Sequence, residues 1–192
     1  NSSEHGDGLA RGQFNRRHFG DAVYGLFERV KAAFDPQGIL NPGKIVGCPP
    51  LTENLRYPPG YRAIERPARF SYPLDGDIAR AIEQCNGAGV CRKLDLGTMC
   101  PSYRVTLDER DTTRARANAL RAILDGRLPP EAIASDELAA VFDLCVGCKA
   151  CRVECPSGVD VARLKVEVLA ARHAARGTPL AARVFGHIHD ID

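Results

Sequence analysis

The apolar positions of this chain form two patterns separated by a stretch that has neither. Asp21 has the side chain of a helix N-cap. After it Val23, Leu26, Phe27, Val30 and Phe34 recur at helical spacing and make one apolar face. Asp35-Pro36-Gln37-Gly38 ends that helix, and Asn41-Pro42-Gly43 turns the chain again. One amphipathic helix cannot bury its face alone, so the pattern predicts that residues 1–47 close a larger domain. Residues 48–76 carry Pro49, Pro50, Pro58, Pro59, Pro67 and Pro73 with little periodicity, and read as an extended linker lying across a surface. From 77 to 176 short helical patterns alternate with cysteine-bearing loops. The predicted helices are Asp77–Gln84, Glu109–Leu124 closed by Gly126, Ser135–Leu144, and one capped by Asp160 that runs to about Arg176 with Val161, Leu164 and Val168 on one face. Thr178-Pro179 starts a last helix within 177–192, read as a connection to a downstream domain. No strand is predicted after residue 76, so the fold class is mainly α.

Composition narrows the function. The chain has 192 residues, 44% hydrophobic and 26% charged, enough for one ordinary domain or two small ones. Its net charge of +2 comes from both signs interspersed, which gives no case for nucleic-acid binding. No apolar run approaches the roughly 18–20 residues of a membrane helix. The opening Asn1-Ser2-Ser3-Glu4-His5 has neither an initiator Met nor a signal peptide, and predicts a piece of a longer polypeptide in a reducing, cytoplasmic compartment. There the cysteines Cys48, Cys85, Cys91, Cys100, Cys145, Cys148, Cys151 and Cys155 are expected to bind metal rather than form disulfides.

Their spacing says which metal. Cys145-Val-Gly-Cys148-Lys-Ala-Cys151-Arg-Val-Glu-Cys155-Pro156 is C-x2-C-x2-C-x3-C-P, the run that wraps a [4Fe–4S] cluster and sends its fourth cysteine to a second cluster. Three thiolates two residues apart reach three corners of a cubane, and Gly147 permits the tight turn. The second motif is present in altered form: Cys85-Asn-Gly-Ala88-Gly-Val-Cys91, then eight residues, then Cys100-Pro101, with Ala88 where a middle cysteine would stand. The crossed rule therefore predicts one cluster on Cys145, Cys148, Cys151 and Cys100, and another on Cys85, Cys91 and Cys155 with one corner lacking a thiolate. That second cluster is either [3Fe–4S] or a [4Fe–4S] cluster completed from outside the motif, by Cys48 or by Asp95. Cys48 is otherwise a small buried hydrophobe. Arg114, Arg116 and Asn118 form a solvated helix face or counter the negative charge of the clusters. Zinc is the rival metal, but it favours pairs of ligands well separated in sequence.

With these motifs in view, residues 78–176 resemble the helical two-cluster ferredoxin-like domain of iron–sulfur flavoenzymes. The segments that carry the resemblance are Cys85–Arg92, Met99-Cys100-Pro101-Ser102-Tyr103 and Thr113–Asn118. Glu4-His5-Gly6-Asp7-Gly8 and Phe34–Lys44 look like the C-terminal end of an α+β FAD-linked oxidase domain. The resemblance implies an FAD-dependent dehydrogenase of D-lactate, D-2-hydroxyglutarate or glycolate. In it FAD is bound by an upstream part, and electrons pass through two clusters to a quinone, a cytochrome or another carrier. A cysteine-rich part follows downstream, and the location is cytoplasmic or at the inner face of the cytoplasmic membrane. It also implies that Glu4 helps hold a divalent metal at the substrate and that His5 is the general base. Two rival readings are a separate iron–sulfur subunit, against which Glu4–Gly8 speaks, and a zinc-stapled binding module.

Overall fold

The computed structural model describes residues 4–190. The chain divides into two compact units, Asn1–Tyr61 and Arg62–Asp192.

In the first unit α1 (Gly8–Arg11) leads through a 3-10 turn at Gly12–Phe14 into α2 (Asn15–Phe34). Gly20 takes φ +76°, so α2 is two helices joined at a kink, and the second begins at Asp21. The Asp21 carboxylate accepts from the Arg16 guanidinium at 2.9 Å. Two buried polar groups organise the turns around this helix. Asn15 is fully buried and donates its amide to Asp7 at 3.0 Å and to the Ile45 carbonyl at 3.2 Å. Asp35 accepts from the N–H groups of Ile39 (3.0 Å) and Leu40 (2.9 Å) and from the Lys31 ammonium (2.6 Å), which holds its carboxyl below the usual range. Among the apolar positions of the predicted face, Val23, Leu26, Val30 and Phe34 are exposed, Phe34 at 83%.

The second unit opens on residues 62–76, which lie across the helices as a strap. The Ile64 N–H bonds the Leu124 carbonyl, and the backbone N–H groups of Arg69 and Phe70 donate to the buried Glu167 carboxylate at 2.8 and 2.9 Å. Tyr72 adds its hydroxyl to Glu167 at 3.2 Å, and burial beside that carboxylate pushes the phenol pKa far up. Beneath the strap the chain runs as α3 (Ile78–Glu83), α4 (Pro101–Thr106), α5 (Thr113–Leu124), α6 (Asp136–Asp143), α7 (Ala150–Glu154), α8 (Val161–Arg176) and α9 (Leu180–Gly186). No strand occurs among the described residues. Ile82, Leu120, Ile123, Phe142, Leu164 and Val168 form the dry centre of one core that also takes in Cys85, Cys91, Cys100 and Cys151. The predicted helix over 109–124 is in fact two pieces. A 3-10 turn at Glu109–Asp111 precedes α5, because Thr112 turns to an extended conformation and caps it.

The helices of this unit repeat. α3, a cysteine loop, a Cys-Pro step and α5 are followed by α6, a cysteine loop, a Cys-Pro step and α8. The caps repeat as well. Asp77 caps α3 and Ser135 caps α6 through their side chains, and Thr112 and Asp160 do the same for α5 and α8.

Candidate metal centre

The two cysteine loops share one backbone plan. Counting from its first cysteine, each loop takes a left-handed residue at the second and fourth positions: Gly87 (φ +83°) and Gly89 (φ +78°) after Cys85, Gly147 (φ +66°) and Lys149 (φ +62°) after Cys145. Alternating handedness of this kind curls the chain around a centre and turns backbone N–H groups inward. Between the left-handed residues stand Ala88 in one loop and Cys148 in the other. The first loop thus keeps the shape of the second and lacks only its thiol.

Each loop closes one cavity, and the cysteine that follows it reaches across to the other. Cys100, Cys145, Cys148 and Cys151 line one cavity. Cys85, Cys91 and Cys155 line a second, with Ala88 at the place of the missing thiol. Among the described residues of this unit, no other cysteine, histidine or carboxylate lines the second cavity. Thr113, at the first turn of α5, borders both. Cys148 is exposed, whereas Cys85, Cys91, Cys100 and Cys151 are buried.

Helix N-termini aim at the sulfurs in matching fashion. The Asp160 cap accepts from the third N–H of α8, that of Arg163, at 3.1 Å. This leaves the first two, those of Val161 and Ala162, to bond Cys151. The Thr112 cap takes the Ala115 N–H of α5 at 3.0 Å and leaves that of Arg114 for Cys91. Burial pushes both thiols up, and these N–H groups work the other way, as donors to a thiolate must. The uncapped donors of a helix start are a natural seat for negative charge.

The two arginines of α5 separate between the cavities. Arg116 is fully buried at the first, where its Nη1 donates to Cys100 Sγ at 3.3 Å and to Ser102 Oγ at 3.1 Å. Arg114 lines the second, donating to the Gly87 carbonyl at 3.1 Å and pairing with Glu109 at 2.8 Å. Asn118 lines neither cavity. Glu154 has a role that its position in the sequence did not suggest. Its carboxylate accepts from the Thr98 N–H (2.8 Å) and hydroxyl (2.9 Å) and the Met99 N–H (3.3 Å), and it pairs with Lys93 (3.0 Å). Those donors hold its pKa down at about 2. Glu154 precedes Cys155, so the second motif clamps the long loop that delivers Cys100. Gly97 suits that clamp: its φ of +69° lies in the left-handed region, and the Glu154 carboxylate occupies the place a Cβ would take.

Asp95 is exposed and borders neither cavity. Cys48 is half-buried in the first unit, with its Sγ packed so closely on Gly12 that a Cβ there would lie 2.3 Å away, and burial pushes its thiol up. Glu4 and His5 are exposed and lie 3.3 Å apart.

Thiols spread around two cavities, faced by backbone N–H groups, fit polynuclear iron–sulfur clusters. Among the described residues no three of Cys, His, Asp and Glu are drawn together as a single ion requires. The similarity to known families agrees. Residues 1–45 match the C-terminal domain of FAD linked oxidases, and residues 81–159 match the 4Fe-4S dicluster domain. The chain therefore carries the end of an FAD-linked oxidase domain followed by an iron–sulfur dicluster domain. Among proteins similar to it is a D-2-hydroxyglutarate dehydrogenase of Pseudomonas putida, 30% identical over 96% of this chain and 21% of that protein. Another is a D-2-hydroxyglutarate dehydrogenase of Pantoea ananatis, 28% identical over 92% of this chain and 20% of that protein. A probable glycolate oxidase iron-sulfur subunit of Bacillus subtilis is 31% identical over 45% of this chain and 19% of that protein. The chain spans about a fifth of the length of these relatives. No solved structure matches it.

Proposed function

We propose that this chain is the electron-transfer part of an FAD- and iron–sulfur-dependent dehydrogenase of a D-2-hydroxy acid, D-2-hydroxyglutarate first among them. The observation that carries this reading is the pair of cavities lined by crossed cysteine sets, in one chain with the end of an FAD-linked oxidase domain. Similarity across both units to D-2-hydroxyglutarate dehydrogenases, against 45% coverage for the glycolate relative, favours the five-carbon acid. Such clusters accept and release single electrons. Cys100, Cys145, Cys148 and Cys151 hold a [4Fe–4S] cluster. Cys85, Cys91 and Cys155 hold a [3Fe–4S] cluster, because Ala88 provides no ligand and, among the described residues of this unit, no further cysteine, histidine or carboxylate lines that cavity. The α5 and α8 N-termini hold the thiolates, and the crossed cysteines tie the two sites together. Glu4 and His5 serve as metal ligand and general base at the hydroxy-acid site, with partners from other parts of the protein. FAD and a cysteine-rich part belong to the whole protein, which passes its electrons on to a quinone, a cytochrome or another carrier.

Iron analysis and electron paramagnetic resonance of the anaerobically prepared protein test this reading. We expect about seven irons per chain, as four plus three, and an oxidised three-iron signal. Ala88→Cys abolishes that signal and adds one iron. A protein that binds zinc and no iron would refute the whole reading. Eight irons in the wild type would refute the three-iron assignment alone.

A further inference from the structure

Arg116 is an expensive residue to bury. A buried guanidinium needs full pairing to offset its lost hydration. Its Nε bonds the Val141 carbonyl at 2.9 Å, and its Nη1 reaches Cys100 Sγ, Ser102 Oγ and the Asp111 carbonyl. Its Nη2 faces Asp111 Oδ1 at 3.5 Å, and neither of those two atoms has a hydrogen-bond partner. An arginine placed only to fix the fold would close a two-pronged bond on its carboxylate. Here the fork is turned so that its best-engaged nitrogen meets the sulfur, and the carboxylate is left at arm's length. Asp111 is itself buried and is anchored on its other oxygen by the Thr106 hydroxyl at 2.8 Å. Lining of the second cavity differs: Arg114 is partly exposed and hydrogen-bonded to Glu109.

We propose that Arg116 and Asp111 are a buried charge couple that sets the reduction potential of the cluster on Cys100, Cys145, Cys148 and Cys151. Arg116 raises the potential and Asp111 restrains it, while the cluster of the second cavity feels neither strongly. The proposal rests on the cluster reading given above. A reduced cluster carries one more negative charge, and a guanidinium bonded to its thiolate stabilises that state in a medium of low dielectric. A carboxylate behind the guanidinium offsets part of the effect. Both residues act through Cys100 and are positioning residues.

The test is a redox titration of the cluster-loaded protein, following each cluster by electron paramagnetic resonance. Arg116→Gln removes a hydrogen bond between charged groups and should lower the reduced-to-oxidised ratio of the first cluster at fixed poise about tenfold. Asp111→Asn should raise that ratio, and Arg116→Lys should fall between wild type and Arg116→Gln. The second cluster's midpoint should stay in place throughout. If Arg116→Gln fails to load iron, Asp111→Asn and Arg116→Lys still carry the opposite signs. Shifts of the same sign in those two, or no shift, would overturn the proposal. A wild-type protein with no iron on the Cys100 set would instead overturn the cluster reading itself.

Discussion

The two cysteine loops of the second unit are built on one backbone and differ in how their centres are completed. Both curl through paired left-handed residues, both end on a cysteine that serves the other cavity, and both sit under a helix whose cap leaves N–H groups for sulfur. One offers four thiols, an exposed edge at Cys148 and a buried arginine on its crossed ligand. The other offers three, and an arginine already committed to Glu109. The lesson is that a cluster site consists of a backbone cradle and a ligand set that vary independently. Ala88 stands where the other loop has Cys148, and the left-handed positions on either side of it are kept.

Removing the metal is the harshest way to break the comparison, because both cradles would lose their centres. Four of the seven thiols are buried in the same core as Ile82 and Phe142, so cluster binding and folding are coupled. We expect anaerobic chelation to erase most of the far-ultraviolet helical signal of residues 62–176. Full helicity in the apo-protein would show that the core stands without iron.

Ligand substitutions sharpen it next. Cys148→Ser should remove the four-iron signal and spare the three-iron one, while Cys85→Ser with Cys91→Ser should do the reverse. Cys100 and Cys155 each follow one loop and line the other's cavity, so Cys100→Ser should damage the four-iron site although it belongs to the first loop's segment. Equal loss at both sites in Cys148→Ser would contradict the crossed assignment.

A smaller effect is expected where the strap meets the helices. Glu167→Ala would leave the Arg69 and Phe70 N–H groups and the buried Tyr72 hydroxyl without their acceptor, at a cost of about 1–3 kcal/mol for the hydroxyl. Denaturant unfolding of the cluster-loaded protein should show a clear loss of stability, with both cluster signals intact below the transition. An unchanged midpoint would mean that the strap is not anchored there.

The smallest effect concerns Glu154. Its pKa is lowered in the folded protein from the ordinary 4.5 to about 2 by the Thr98 N–H, Lys93 and the Thr98 hydroxyl. The stabilisation from this clamp is therefore present above pH 4.5 and is lost as the pH falls through about 2. At neutral pH Glu154→Gln should speed amide hydrogen exchange in residues 93–99 with little change elsewhere. Equal exchange in the two proteins would remove the clamp from the account.

Much of this protein was written in local spacing. The C-x2-C-x2-C-x3-C-P run, the weakened copy around Ala88 and the crossed pairing of Cys100 and Cys155 are sequence features, because a cubane dictates how far apart on a loop its ligands stand. The Asp160 cap was legible for a similar reason, since a cap acts within one turn of its own position. The break at Thr112 was missed because threonine occurs both inside helices and at their starts, and only the surrounding fold decides between them. Long-range polar contacts left no periodic trace at all. Glu154 grips a loop 56 residues away, Glu167 holds a strap 98 residues away, and Arg116 and Arg114, two positions apart on one helix, face different cavities. The sequence by itself determined which cysteines stand together on which loop, because that depends on distance along the chain. Only the tertiary structure decided which charge sits beside which sulfur, because that depends on how α5 and α8 pack across the core they share.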